Sequence, residues 1–267
     1  MKIITLMENT AVSPALASEH GLSLYIETDT PQGLRRLLFD MGQSDAFLRN
    51  AQMLGVDLSL VDTAIISHGH YDHGGGLTAF LTVNDHAPVY VHREAFVPHY
   101  SGSRDRYIGL DPALAGSSRL CMTGDETDLG GGLRLVTCNA CERRHADSAQ
   151  GMLSEQDGTL AQDSFAHEQY LVVQEGGRRI VVSGCSHKGV LNIIEWLRPD
   201  ILVGGFHYMK LDVQGSGRAV LEEAVQALAG GPVCYTCHCT GQEAYEYLKD
   251  RLGDRLHYLA AGSAEQV

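Results

Sequence analysis

The chain reads as an α/β protein, and two observations carry that reading. Four times an apolar run ends in a short loop holding glycine or histidine and is followed by a segment of helical spacing. These loops begin near Ser67, Gly184, Gly204 and Cys237. The first third instead alternates short strand-like runs with turns. Where strands share a direction, such loops gather at one edge of a sheet, the place where α/β proteins build sites. The four loops can therefore converge although they are far apart in sequence.

The elements follow in order. Residues 2–7, 22–28 and 34–40 read as strands from their apolar and β-branched content. Residues 44–54 have helical apolar spacing at Ala46, Phe47, Ala51 and Leu54, with Ser44 as N-cap and Gly55 as stop. Residues 61–67 (VDTAIIS) form a buried strand, 77–83 a helix and 88–92 a strand. Residues 93–120 lack a clear period and read as an irregular, partly helical excursion. Residues 132–138 are a strand. The polar stretch 139–164 has no core pattern; a loop of that length is functional or disordered, so it is expected to be a lid. Its Arg143, Arg144 and His145 are candidate substrate contacts.

The second half is more regular. Residues 169–174 and 179–183 suggest a hairpin turned at Glu175-Gly176-Gly177-Arg178. A helix over 189–197 stops at Pro199, and a strand covers 200–203. Residues 216–229 form an amphipathic helix with Val220, Leu221, Ala224, Val225 and Leu228 on one stripe. A strand over 232–236, a helix over 242–252 and a strand over 256–260 close the chain.

Length and composition bound the function. The 267 residues suit a single domain spanning 1–267, and 44% hydrophobic content supplies a sizeable core. No apolar segment is long enough for a membrane span, and the N-terminus reads as a strand and not a signal peptide. A soluble cytoplasmic protein is expected, without membrane or nucleic-acid partners. The net charge of −13 argues against nonspecific nucleic-acid binding, which needs cations on phosphates. An anionic small molecule remains compatible, since a bound metal ion inverts the local field. Seven cysteines argue against a disulfide framework. Cys138 and Cys141, with Cys234, Cys237 and Cys239, are conceivable zinc ligands, but ordinary reduced thiols are the simpler reading.

The chemistry concentrates in residues 67–76, Ser-His-Gly-His-Tyr-Asp-His-Gly-Gly-Gly. In an extended chain, residues two apart point the same way, so His68 and His70 can hold one ion. Asp72 and His73 come after the chain turns and can face a second. Imidazole suits zinc, iron or manganese, and a carboxylate fits the harder of these.

The run His68-x-His70-x-Asp72-His73 after an apolar strand resembles the signature of the metallo-β-lactamase fold superfamily. Gly-Cys-Ser-His at 184–187, Gly-Gly-Phe-His at 204–207 and His-Cys-Thr-Gly at 238–241 resemble its dihydropterin-ribofuranosylaminobenzene phosphate synthase-like subfamily. The resemblance runs almost end to end. It implies an αββα sandwich with a one- or two-metal site at one edge of two sheets. It implies that His187 joins His68 and His70, and that His238 joins Asp72 and His73. Many members carry an aspartate bridging the two ions; this chain reads Ser183-Gly184-Cys185-Ser186-His187 there. Cys185, water or His187 then fills the gap. His167 lies where other members place a ligand histidine, and is otherwise a surface residue at a strand start. Asp40 is expected to orient a ligand histidine, and Glu8-Asn9 could line the pocket. His207 either contacts substrate as a proton donor or caps a strand. His20, His86, His92, His99 and His257 match no motif and read as surface or satisfied residues.

The reaction so implied is hydrolysis of a small anionic, possibly phosphorylated, molecule by a metal-activated hydroxide, with Asp72 and His207 in catalytic roles. Two alternatives stand beside it. One is a transferase condensing a pterin diphosphate with an arylamine, like the subfamily's namesake. The other is a non-catalytic metal-binding sensor. Oligomeric state is not legible.

Overall fold

Two seven-stranded mixed sheets lie face to face in the computed structural model, which describes residues 1–146 and 149–267. The first sheet takes β1 (Lys2–Met7), β2 (Ser23–Thr30), β3 (Gly33–Phe39), β4 (Thr63–Ile65) and β5 (Val89–His92) from the N-terminal part of the chain. After β6 (His99–Ser101), which lies outside it, come β7 (Leu120–Thr123), β8 (Glu126–Gly130), β9 (Leu133–Val136), β10 (Met152–Gln156) and β11 (Thr159–Gln162). The second half supplies β12 (Tyr170–Glu175), β13 (Arg178–Val182), β14 (Ile201–Val203), β15 (Val233–Thr236), β16 (Leu256–Tyr258) and β17 (Ala264–Gln266). The sheet orders are β17-β1-β2-β3-β4-β5-β7 and β16-β15-β14-β13-β12-β9-β8, with a small third sheet β11-β10-β6. The helices are α1 (Ala46–Met53), α2 (Tyr71–Gly74), α3 (Leu77–Val83), α4 (Val190–Leu197), α5 (Arg218–Ala229) and α6 (Gln242–Leu252).

Strand alternation explains the layers. Along β2 and β3, Leu24, Ile26, Leu37 and Phe39 point to the seam between sheets, where they meet Leu133, Leu171, Ile180 and Val203. Their neighbours Tyr25 and Leu38 point outward and pack with Phe47 of α1 and Phe80 of α3. The second sheet is likewise two-sided: Val181 and Leu202 pack under Ile193, Leu221 and Leu248 of α4, α5 and α6. The result is the expected αββα order.

Direction places the site. β3, β4, β5 and β7 are parallel, as are β13, β14, β15 and β16. The C-terminal ends of β4, β13, β14 and β15 all open into the strand-end loops singled out above. The β12–β13 hairpin forms in the expected register, Glu175 opposite Arg178. Gly176 and Gly177 take φ of 58° and 78° there, which side chains resist.

Several expectations are corrected. Residues 139–164 are not an unpatterned loop: β10 and β11 form a hairpin, and β10 pairs with β6. Residues 147 and 148 of that stretch lie outside the described residues. The pattern was missed because the hairpin is mostly half-exposed and shows no apolar alternation. The excursion at 93–120 holds β6, a 3-10 turn over Pro112–Gly116 and the start of β7. Only Thr63–Ile65 of the 61–67 run pairs as a strand. The α1 helix begins two residues after Ser44, whose hydroxyl accepts the Ala46 N–H at 3.1 Å.

Candidate metal centre

The loop after β4 turns into the single helical turn α2. His68 and His70 lie on its extended part, while Asp72 and His73 lie on the turn. Glycines make the bend possible. A Cβ on Gly69 would sit 2.2 Å from the Ala95 carbonyl oxygen, and one on Gly76 2.2 Å from that of Met41. The opposite sheet delivers Cys185 and His187 after β13, His207 after β14, and His238 and Cys239 after β15. Asp40, Ser186, His207 and His238 all have φ between 51° and 60°. Such backbone is strained for non-glycine residues, and strain of this kind clusters at functional sites.

Two sets of donors result. The side-chain donors of His68, His70 and His187 lie within 4.8 Å of one another, all buried. In the second set, His73 Nε2 and His238 Nε2 lie 3.7 and 3.3 Å from Asp72 Oδ2. Cys185 Sγ is 3.1 Å from His73 Nε2. It groups with His68 and His73 on one side and with His238 and Cys239 on the other, so it stands between the two sets.

The hydrogen bonds behind these rings fix where their protons are. Ser67 Oγ donates to Asp40 Oδ2 (2.7 Å) and so accepts from His68 Nδ1 (2.8 Å). His73 Nδ1 donates to Asp40 Oδ2 (2.7 Å), His187 Nδ1 to Glu168 Oε1 (3.1 Å) and His238 Nδ1 to Asn9 Oδ1 (2.7 Å). In each neutral ring, Nε2 is left with a bare lone pair facing the centre. His68 Nε2 and His238 Nε2 are buried and have no hydrogen-bond partner. A buried polar atom without a partner is costly, and a cation is what such atoms accept. Nitrogen, carboxylate and thiol donors around a buried point therefore fit one or two divalent ions, and outer partners of this type are what orient metal-ligating histidines.

Electrostatics agree. Burial first, then the neighbouring histidines, holds His68 and His70 well below the ordinary histidine range. Burial also pushes His238 down to about 4. Burial alone would raise Asp72, but His73, His20 and His238 outweigh it and keep the carboxyl ionised. Burial lifts the Cys185 thiol well above its usual value; a coordinating cation opposes that by favouring thiolate.

A cavity of about 290 Å³ opens onto these donors. His207 lines it, 7% exposed, with its ring 4.7 Å from that of His187. Arg106, Lys210, Ile108, Met152 and Met209 form further parts of its wall. A larger groove of about 780 Å³ runs along α1, and none of its lining residues belongs to a cluster of ligand-type side chains among the described residues.

Other expected residues fall elsewhere. Arg144 and His145 do not line the cavity; they bond Glu195 of α4 and Glu223 of α5, and their backbone N–H groups bond Asn192. Arg143 donates to the Ser164 carbonyl and is absent from the cavity wall. The stretch instead reaches the cavity through Met152. Cys138 and Cys141 join no ligand cluster among the described residues. His20, read as a surface or satisfied residue, is exposed, and its Nε2 lies 3.2 Å from Asp72 Oδ2 where it lines the cavity. His99, read as a surface or satisfied residue, is buried, with Nδ1 2.7 Å from Asp163 Oδ2. Glu168 carried no signal beyond its place beside His167. Asn9, expected with Glu8 to line the pocket, accepts from His238 Nδ1 at 2.7 Å and so holds that ring.

Comparison with known proteins places the chain. The Metallo-beta-lactamase superfamily profile matches residues 21–139. A solved metal-dependent hydrolase of the beta-lactamase superfamily is 32% identical, with a TM-score of 0.82, over 100% of this chain and 99% of that one. The chain belongs to the metallo-β-lactamase superfamily. Within this superfamily it is also similar to a 7,8-dihydropterin-6-methyl-4-(β-D-ribofuranosyl)-aminobenzene-5′-phosphate synthase of Methanocaldococcus jannaschii. That protein is 26% identical over 98% of this chain and 95% of its own length. An uncharacterised protein of the same organism is 29% identical over 90% of both chains. The superfamily is metal-dependent and generally enzymatic. No described helix is long and apolar enough to cross a membrane.

Proposed function

We propose that this protein hydrolyses a small anionic, possibly phosphorylated, substrate at a two-ion centre. One observation carries the reading: at least four histidines from both sheets turn unprotonated nitrogens toward one buried point while holding their protons outward. His68, His70 and His187 would hold one ion. Asp72, His73 and His238 would hold the other, with Cys185 between them in place of a carboxylate. Zinc suits this nitrogen, sulfur and oxygen set best, with iron or manganese as alternatives. A divalent ion held there would supply a Lewis acid for activating water and for polarising the substrate.

The chain's own groups do the rest. Arg106 and Lys210 supply the cations on the cavity wall for the substrate's anionic group, the task the sequence suggested for Arg143, Arg144 and His145. Ile108, Met152 and Met209 narrow the mouth and exclude bulk water. His207 stands beside His187 to hand a proton to the leaving group, and His20 holds Asp72 in orientation.

The test is elemental analysis, then a phosphodiesterase, phosphomonoesterase and lactonase screen with the metal found. Asp72→Ala and His238→Ala are expected to lower kcat/KM at least 100-fold. Full activity in both variants sinks the reading. The similarity to the synthase favours a second reading, condensation of a pterin diphosphate with an arylamine. Product analysis with an arylamine acceptor separates them: diphosphate leaves in both, so an arylamine adduct indicates transfer, and the pterin alcohol without adduct indicates hydrolysis.

A further inference from the structure

The Cys138-Asn139-Ala140-Cys141 run joins no ligand cluster among the described residues, and the proposed chemistry does not use it. It lies just after β9, where the Cys141 N–H donates to the Cys138 carbonyl at 3.0 Å and closes a β-turn. A β-turn holds its first and last Cα within about 7 Å, and a disulfide spans Cα separations of about 4.4–6.8 Å. The two thiols are neighbours across this turn. Cys138 has φ of 57°, the same strained backbone as at Asp40 and Ser186. Cys141 is exposed and Cys138 half-buried, whereas Cys185, Cys234, Cys237 and Cys239 are buried. A reagent arriving from solvent therefore meets Cys141 first. Burial, then Cys141, pushes the Cys138 thiol up to about 12, which suits it to the second step of an exchange and not the first.

The turn is tied to the metal centre by hydrogen bonds. Lys188, the residue after His187, is fully buried. Its Nζ donates to the Thr137 carbonyl and to Asn139 Oδ1, each at 2.7 Å, and to the Glu168 carbonyl at 3.1 Å. Glu168 Oε1 in turn accepts from the His187 backbone N–H at 2.7 Å and from its Nδ1 at 3.1 Å. The residues on either side of Cys138 thus grip the ammonium that anchors the His187 loop.

We propose that Cys138 and Cys141 form a dithiol–disulfide redox site that exchanges with low-molecular-weight disulfides, and that its state is transmitted through Lys188 to His187. The transmission rests on the metal-centre reading; the redox site does not. Cys141, as thiolate, attacks one sulfur of the small disulfide, forms a mixed disulfide and releases one thiol. Cys138 then attacks Cys141 Sγ, closes the intramolecular bond and releases the second thiol. The two cysteines lose two protons and two electrons, and the small disulfide takes up both. Closing the bond draws the ends of the turn together and displaces the two acceptors of Lys188 that flank Cys138. Disulfides that come and go in this way serve sensing, not folding.

Metal-free protein equilibrated with oxidised and reduced glutathione, its cysteines mapped by alkylation and peptide mass spectrometry, tests the redox site. The expected product is a disulfide between Cys138 and Cys141, and Cys138→Ser should hold Cys141 as a mixed disulfide with glutathione. A Cys138–Cys141 pair that stays reduced, or a Cys138→Ser variant without the mixed disulfide, would overturn the site. Zinc affinity of the oxidised and reduced samples, read by chelator competition, tests the transmission. Oxidation is expected to weaken one zinc ion roughly 10-fold. Cys141→Ser, a change at an exposed position that leaves the core alone, should lose that dependence. A wild-type affinity indifferent to oxidation, or a Cys141→Ser variant as sensitive as the wild type, would overturn the transmission. A wild type that forms the disulfide but takes up no zinc, iron or manganese would overturn the metal reading and the transmission, and leave the redox site standing.

Discussion

At the residue scale, proton placement decides what the site can do. Each ligand-type histidine with a visible outer bond has its second nitrogen tied to Asp40, Ser67, Glu168 or Asn9. Losing such a partner frees the ring to rotate and to protonate on the wrong side. Asn9→Leu is therefore expected to weaken binding of one metal ion by roughly 10- to 100-fold, measured by chelator competition; unchanged affinity would show that Asn9 does not hold His238. A pH prediction follows from the same rings. Burial pushes His167 and His238 each down to about 4, whereas in the unfolded chain they titrate near 6.5. Between those values the unfolded state binds more protons, so stability is full above about pH 6.5 and falls as pH drops toward 4. Each ring contributes on the order of 3 kcal/mol across that window. His73 has the opposite sign: burial pulls it down, but Asp40 and Asp72 outweigh burial and raise it, so its contribution persists in acid. Urea denaturation of the chelated protein at pH 7.5 and 4.5 checks the balance, and equal midpoints would refute it.

At the element scale, strand ends and tight loops set the geometry. Phe39 is fully buried at the seam between sheets and immediately precedes Asp40, which holds both Ser67 and His73. Phe39→Ala should cost about 3–5 kcal/mol of stability and also loosen metal binding, because the cavity lies under the Asp40 turn. Thermal unfolding and metal titration together check this; a destabilised variant that binds metal as tightly as before would show that the seam does not support the turn. Gly204 has φ of 134°, and a Cβ there would lie 2.1 Å from the Ser183 carbonyl oxygen. The loop after β14 thus passes too close to β13 for any side chain. Much of this was legible: the strand–loop–helix units around Ser67, Gly184, Gly204 and Cys237 announce themselves by apolar runs that stop at glycine. The β10–β11 hairpin was not, since its residues are half-exposed and its pairing partner β6 lies about 50 residues upstream, and local periodicity carries no record of such a partner.

At the scale of the whole molecule, neither sheet holds a complete site. His68, His70, Asp72 and His73 come from the first sheet; Cys185, His187 and His238 come from the second. Bound metal would then bridge the sandwich and stabilise the folded form by mass action, about 2.7 kcal/mol at 100 times Kd. Chelation is expected to lower Tm and zinc to restore it; a Tm indifferent to both would count against a bridging centre. The charge distribution points the same way. In a chain of net charge −13, Arg106 and Lys210 stand on the cavity wall. Arg106→Ala with Lys210→Ala should raise KM for an anionic substrate several-fold and flatten its dependence on salt. An unchanged KM would remove them from substrate binding.

The sequence by itself determined the histidine-bearing strand ends and the α/β pattern, because those rest on short spacings and on periods that each strand and helix carries alone; the αββα class and the superfamily came through the resemblance that the motifs at those strand ends carry. Only the tertiary structure decided the rest. It moved the expected cations from Arg143 and Arg144 to Arg106 and Lys210. It brought His20 and Asn9 beside Asp72 and His238, and joined His99 to Asp163. These are meetings of residues far apart in the chain, selected by hydrogen-bond geometry in a buried place. The signature His68-x-His70-x-Asp72-His73 names the donors, but which nitrogen each ring offers depends on what stands behind it.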